Sequence, residues 1–258
     1  MSIKNRRSFL RGLAATGCAL HVPLNAWAGP AVEHPLERPL RLVQHSLSRL
    51  ESVAGYECQF AKQEIVGERV ISQKLRMKLR HDPFSVYLYF EEQNRGREVI
   101  YVQGKNDNNL LIHEAGILKL AGTLQRSPEH ADVRAENRHP ITELGLRKLV
   151  EAVIRQWTQE SRYGETEVKY FRDASLGTTL CNVIESSHPT PRRQFPFQKT
   201  RVWIDQKTNL VVRLQQYAFP ANPEAPAALV EDYSYLSIRI NNQLADIDFD
   251  VRNPAYSY

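Results

Sequence analysis

Long apolar runs, cysteine and any lasting excess of charge are what this 258-residue chain lacks. No segment reaches the ~18 consecutive apolar residues of a membrane-crossing helix, so none reads as one. Three cysteines, Cys18, Cys58 and Cys181, are too few and too scattered for a zinc cluster, which takes its ligands in closely spaced pairs. The formal charge of +5 points towards nucleic acid only until it is located. Residues 1–28 hold Lys4, Arg6, Arg7 and Arg11 and no acid; the remainder has 30 basic against 29 acidic side chains. Binding a polyanion needs a surplus that neutralises several phosphates. Nucleic acid is therefore not an expected partner.

Patterns of catalysis are missing too. There is no Gly-rich phosphate loop, no Gly-x-Ser-x-Gly elbow and no His-Glu-x-x-His. Asp246, Asp248 and Asp250 begin like a calcium loop but lack its Gly and distal Glu. Alternation at the chain end would instead send the three carboxylates to water. His113 and Glu114, with His139, make a hydrolytic site only if the fold brings them into one cleft. The expectation is a non-enzyme with no metal and no cofactor.

What is present begins with an address. Arg6-Arg7-Ser8-Phe9-Leu10 precedes a short apolar stretch and then Ala26-Trp27-Ala28. A basic head, an apolar middle and a small-x-small cut site are the parts of a secretory signal, here of twin-arginine type. Residues 1–28 are read as that signal, cut after Ala28, and 29–258 as a single domain, soluble and monomeric in the periplasm. Ala15-Thr16-Gly17-Cys18 offers a less favoured alternative, a lipid anchor on Cys18. In an oxidising compartment Cys58 and Cys181 either form a disulfide or serve as two small core residues.

Leu36, Leu40, Val43, Leu47 and Leu50 recur at helical spacing. Tyr56, Cys58 and Phe60 then alternate with polar residues, and Ile71, Leu75, Met77 and Leu79 alternate with Lys74, Arg76, Lys78 and Arg80. This predicts strands with one dry face and a solvated basic one. Residues 84–90 are apolar on both faces, and 97–103 with 110–113 read as a hairpin. A second helix is expected after Pro140, capped by Thr142, with Leu146, Leu149, Val150, Val153, Ile154 and Trp157 as its stripe. Strands follow over 166–172, 178–185, 199–205, 210–219 and 229–240, interrupted by Pro-rich loops at 188–196 and 220–226. Helix, strands, helix, strands is an α+β order. The expected fold is one large curved antiparallel sheet forming an unclosed half-barrel, its concave face covered by the two helices.

Gly96-Arg97-Glu98-Val99-Ile100-Tyr101-Val102, His139-Pro140-Ile141-Thr142-Glu143-Leu144-Gly145 and Phe249-Asp250-Val251-Arg252-Asn253-Pro254-Ala255-Tyr256 together resemble an exported bacterial family known as domain of unknown function 1571. Val251 stands where that family's ending has Pro. Phe60-Ala61-Lys62-Gln63 and Val202-Trp203-Ile204-Asp205 more distantly resemble the lipoprotein carriers LolA and LolB and the sensor RseB. That likeness implies an unclosed barrel whose apolar interior holds acyl chains. Phe60, Leu75, Met77, Leu79, Trp203, Val212 and Leu214 are the candidates for the concave, ligand-facing surface. The leading expectation is a binder of a lipid or acylated protein. The alternatives are a module that contacts an envelope protein through its Pro-rich loops and the aromatics Tyr233 and Tyr235, and an envelope hydrolase.

Overall fold

The spacing of Leu36, Leu40, Val43 and Leu50 places all four on one buried stripe of a helix, α1 (Glu37–Leu50). A computed structural model describes residues 33–222, 224–241 and 243–258 of the chain. The expected signal over 1–28, with Arg6, Arg7, Cys18, Ala26 and Ala28, lies outside the described residues. His34–Tyr258 form one compact unit. Among the described residues no helix is long and apolar enough to cross a membrane.

Six strands leave α1 as a meander: β1 (Gly55–Val66), β2 (Arg69–His81), β3 (Phe84–Glu92), β4 (Glu98–Val102), β5 (Leu110–His113) and β6 (Thr123–Arg126). A short helix α2 (Ala131–Arg134) and the long α3 (Leu146–Glu160) carry the chain to the far edge. A second meander, β7 (Glu167–Leu176), β8 (Thr179–Ser187), β9 (Lys199–Asp205), β10 (Val211–Tyr217) and β11 (Leu229–Ile240), returns to the middle, where β11 pairs with β1. The result is one eleven-stranded antiparallel sheet in the order β6-β5-β4-β3-β2-β1-β11-β10-β9-β8-β7. β6 and β7 are its two edges, so the barrel is not closed. Residues of β1 to β5 and of β8 to β11 share one core cluster with α1 and α3. The sheet therefore curls around the two helices, the expected α+β half-barrel.

The second helix starts later than its sequence pattern suggested. Residues 141–143 form a separate 3-10 turn, and Gly145, at φ +113°, breaks the chain before Leu146. A Cβ on Gly145 would stand 2.6 Å from Leu79 Cδ1, so only glycine lets the chain pass that close. Thr142 does not cap the helix. The Tyr56 hydroxyl accepts from the Leu146 amide at 2.8 Å and the Tyr235 hydroxyl from the Gly145 amide at 3.1 Å. Two buried sheet residues thus satisfy donors that a helix start leaves open. Further along α3, Trp157 is fully buried and donates to Ser186 Oγ at 3.1 Å.

Two further expectations are corrected. The carboxylates near the chain end do not alternate along a strand, although Asp246 is exposed. Asp246 and Asp248 sit on a 3-10 turn and pair with Arg80 and Lys78 at 2.8 and 2.7 Å. The tail then crosses the convex side of the sheet. Tyr256 stacks on Tyr87 with ring centroids 3.9 Å apart, the Ser257 amide donates to Glu98, and the Tyr258 hydroxyl donates to the Leu111 carbonyl. Part of the basic ladder is therefore covered, and β3 is apolar on both sides because both sides are packed. Cys58 and Cys181 are free and buried in the core, on strands with three others between them. Burial raises both thiols, that of Cys181 to about 11.

Tyr56→Phe keeps the ring and strands the Leu146 amide in the core. It should lower the unfolding free energy by about 1–3 kcal/mol, read by urea denaturation with an unchanged m-value. A loss too small to measure would show that the hydroxyl does not hold the start of α3.

Candidate functional site

Strand register sorts the inner face of the β1–β6 wing into rows. Leu124, Ile112, Val99 and Leu88 lie side by side across β6, β5, β4 and β3. The next row is Phe90, Leu75, Phe60 and Tyr235. The third is Gln73, Lys62, Tyr233 and Leu214, and the fourth Glu64, Glu231 and Gln216. All fifteen side chains line one cavity of about 460 Å³. Its wall changes along the strands from aliphatic to aromatic to polar to charged. Such a volume is that of a small-molecule site, apolar for the most part with a few placed polar groups.

The roof is α3, through Leu149, Val153 and Gln156, and the 131–145 segment, through Val133, Ile141 and Leu144. The segment is fastened over the charged end. Lys62 Nζ donates to Glu64 at 3.0 Å, to Asn137 Oδ1 at 2.6 Å and to the Glu136 carbonyl at 3.3 Å. Arg97 donates to Glu114 at 2.9 Å and to Glu136 at 2.7 Å. Glu231 receives Arg138 Nε at 3.1 Å and His139 Nε2 at 2.9 Å. The Tyr233 hydroxyl lies between Glu64 at 2.6 Å and Glu231 at 3.2 Å.

Burial alone would raise the Glu64 carboxyl; Lys62, the Tyr233 hydroxyl and the Arg138 amide outweigh it and hold it below its ordinary value. Burial pulls Lys62 down against the attraction of Glu64. It also pushes the Tyr233 phenol up, with both carboxylates adding to the effect. The hydrogen bond to Glu231 raises His139 above its ordinary value, against burial and with support from Glu143.

Of the seven residues expected to face a ligand, Phe60, Leu75 and Leu214 line the cavity. Met77, Leu79 and Val212 are buried in the packed core. Trp203 was expected on the concave face and lies on the other. It alternates with the buried Val202 and Ile204, its indole donates to Gln215, and Arg213 covers its ring. Tyr233 and Tyr235, expected as exposed contacts, are buried. The Pro-rich loop at 188–196 is anchored by His188 and Phe195, both buried and stacked at 3.7 Å, while 189–193 and Pro196 are exposed. His113 does not join Glu114 and His139. Ile112 and Glu114 line the cavity, whereas His113 packs against Tyr258 of the tail.

The charged end of the cavity was not anticipated, although its signal is in the sequence. Lys62 and Glu64 continue the phase of Cys58 and Phe60 on β1, which places charge on a dry face. Such a residue is buried only if paired.

Residues 53–258 match the model of a family described as protein of unknown function (DUF1571). The chain belongs to that family. No curated protein matches it. Among solved structures it is similar to lipoprotein LppX of Mycobacterium tuberculosis, at 12% identity and a TM-score of 0.45, over 80% of this chain and 96% of that one. It is similar to a LolA superfamily protein from Nitrosomonas europaea at 10% identity and 0.34, over 81% and 96%. The Pseudomonas aeruginosa MucA/MucB complex gives 12% and 0.44, over 83% and 60%. At these scores the likenesses say nothing of this chain's ligand.

Two predictions concern the fastening. Lys62→Met leaves Glu64 buried without its cation and should cost about 3–5 kcal/mol of stability, measured by chemical denaturation near neutral pH. A cost under about 1 kcal/mol would mean that water or another cation replaces Lys62. The second is a pH dependence. His139 has a raised folded pKa, so its charge-linked stabilisation is complete below the unfolded value of about 6.5 and fades as pH rises through the folded value. His139→Gln should therefore destabilise more at pH 6 than at pH 9; a loss independent of pH would show that His139 acts as a neutral hydrogen bonder.

Proposed function

We propose that this chain is an exported, non-enzymatic carrier that holds the acyl part of a lipid, or of a lipid-modified protein, in the cavity. The carrying observation is the pair of adjoining aliphatic and aromatic rows, which line about 460 Å³ of space beneath Leu149 and Val153 of α3. Burying a methylene is favourable by ~0.8 kcal/mol, so a dozen would supply roughly 10 kcal/mol of gross affinity. No recognition motif is needed for that. The acids and bases at the charged end are fastened to one another, which suits a wall better than a reacting centre. The basic head and cut site of residues 1–28 supply the envelope compartment. Of the contacts that motivate the interaction-module alternative, Tyr233 and Tyr235 drop out because they are buried, while most of the 188–196 and 220–226 loops remains exposed.

The full chain should be exported in a bacterial host, purified gently, and weighed by native mass spectrometry before solvent extraction. A stoichiometric extra mass that leaves on denaturation, identified as an acyl-bearing molecule, is the expected result. A clean protein mass that stays unchanged after incubation with membrane extract would overturn the proposal.

A further inference from the structure

Two cations on the cavity wall have no acid to pair with. Arg126 stands on the edge strand β6, two residues or about 7 Å along from Leu124 of the aliphatic row. It lines the cavity beside Leu110 of β5. Its side chain is half-buried, and one guanidinium N–H donates to the carbonyl of its neighbour Gln125 at 2.9 Å. Arg155 lies on the roof, where Lys148, Ala152 and Arg155 line the cavity at i, i+4 and i+7 along one face of α3. It is exposed, and among the described residues it has no hydrogen-bond or ion-pair partner.

The acids on the same wall are already engaged. Lys62 holds Glu64, Arg97 holds Glu114 and Glu136, and His139 lies between Glu143 and Glu231. Lys148 pairs with Glu151. The remaining acid that lines the cavity, Asp132, is beside His130 with its side chain 78% exposed to water. What is left over on the wall is therefore positive. A guanidinium presents five N–H donors in a planar fork that matches a carboxylate or a phosphate two bonds at a time. A neutral head beside Arg126 gains no charge-assisted bond. An anionic head does, in a place where water screens it only in part. Arg155, out in solvent, is screened more fully.

Resting on the carrier reading, we infer that the cavity takes an amphiphile whose acyl chain lies over the aliphatic and aromatic rows and whose head is an anion, a carboxylate or a phosphate, received by Arg126. Arg126 is then the specificity-determining residue, and Arg155 adds a weaker attraction from the roof.

The test uses three radiolabelled probes with the same acyl chain, namely palmitate, palmitoyl lysophosphatidic acid and the uncharged monopalmitoylglycerol. Each is measured against the delipidated full chain by equilibrium dialysis at pH 8, below its aggregation limit. At least one anion should bind about tenfold or more tighter than the glycerol ester; which of the two does so separates a carboxylate head from a phosphate head. Arg126→Gln should remove most of that preference and leave monopalmitoylglycerol nearly unchanged. Arg126→Met should behave alike, and Arg126→Lys, which keeps the charge but not the fork, should keep part of it. Arg155→Gln should weaken the anions only about twofold to threefold. The glycerol ester binding as tightly as both anions, or a preference that survives in Arg126→Gln and Arg126→Met, would overturn the inference while the carrier reading stands. Failure of all three probes to bind would remove the carrier reading and this inference with it. Should one neutral variant fail to fold, the other decides.

Discussion

Width is the constraint on which this structure depends. Eleven strands at about 4.8 Å spacing make a sheet roughly 53 Å across. Two helices, each about 10–12 Å in diameter with side chains, cover less than half of that even when the sheet curls. The stripes of α1 and α3 pack against each other and against the middle of the concave face. Over the β1–β6 wing only one face of α3 looks onto the aliphatic and aromatic rows, and it does not fill the space above them. A shorter sheet would be filled by its own side chains; this one is not.

The uncovered wing is roofed by a stretch with little apolar surface of its own, held by charge. Val133, Ile141 and Leu144 are its apolar contacts, and beyond them the 131–145 segment depends on Lys62, Arg97, Arg138 and His139 against Glu64, Glu114, Glu136 and Glu231. Buried ion pairs contribute little net stability, because desolvation offsets most of the attraction. What they supply is position. Each half of the lattice is costly to leave unpaired, so the roof has one seating, and lifting it means separating several pairs together.

How far the sequence revealed this architecture follows from where one element decides its own environment. The alternation in β1 and β2 and the stripe of α1 were legible because each pattern is local. β6 was not: Thr123-Leu124-Gln125-Arg126 is four residues long with a single aliphatic side chain, too short for alternation to register. Val202-Trp203-Ile204 is apolar in both phases, and only Lys199 and Arg201, in phase with Trp203, give away its outward direction. The start of α3 depends on hydroxyls about ninety positions away in either direction. The two-sided burial of β3 depends on a tail some 170 residues downstream. Nothing near residues 84–90 or 141–146 encodes those partners.

The three stretches that carry the family resemblance prove to be closures. Arg97, from the first, ties Glu114 to Glu136 at the edge of the roof. His139 and Gly145, from the second, fasten the roof to Glu231 and bring α3 against Leu79. Tyr256, from the third, lies on the convex face, and the Ser257 amide next to it donates to Glu98 of the first. One set of residues thus shuts the cavity from inside and braces the same strands from outside. Most of the wall, including Leu124, Leu88, Leu75 and Phe60, lies outside those stretches, although Val99 of the first and Ile141 and Leu144 of the second also line the cavity. Closure and contact thus fall largely on different residues, so much of the wall can change without loosening the roof. The chemistry of what is held is then set by the rows, aliphatic and aromatic at one end and charged at the other.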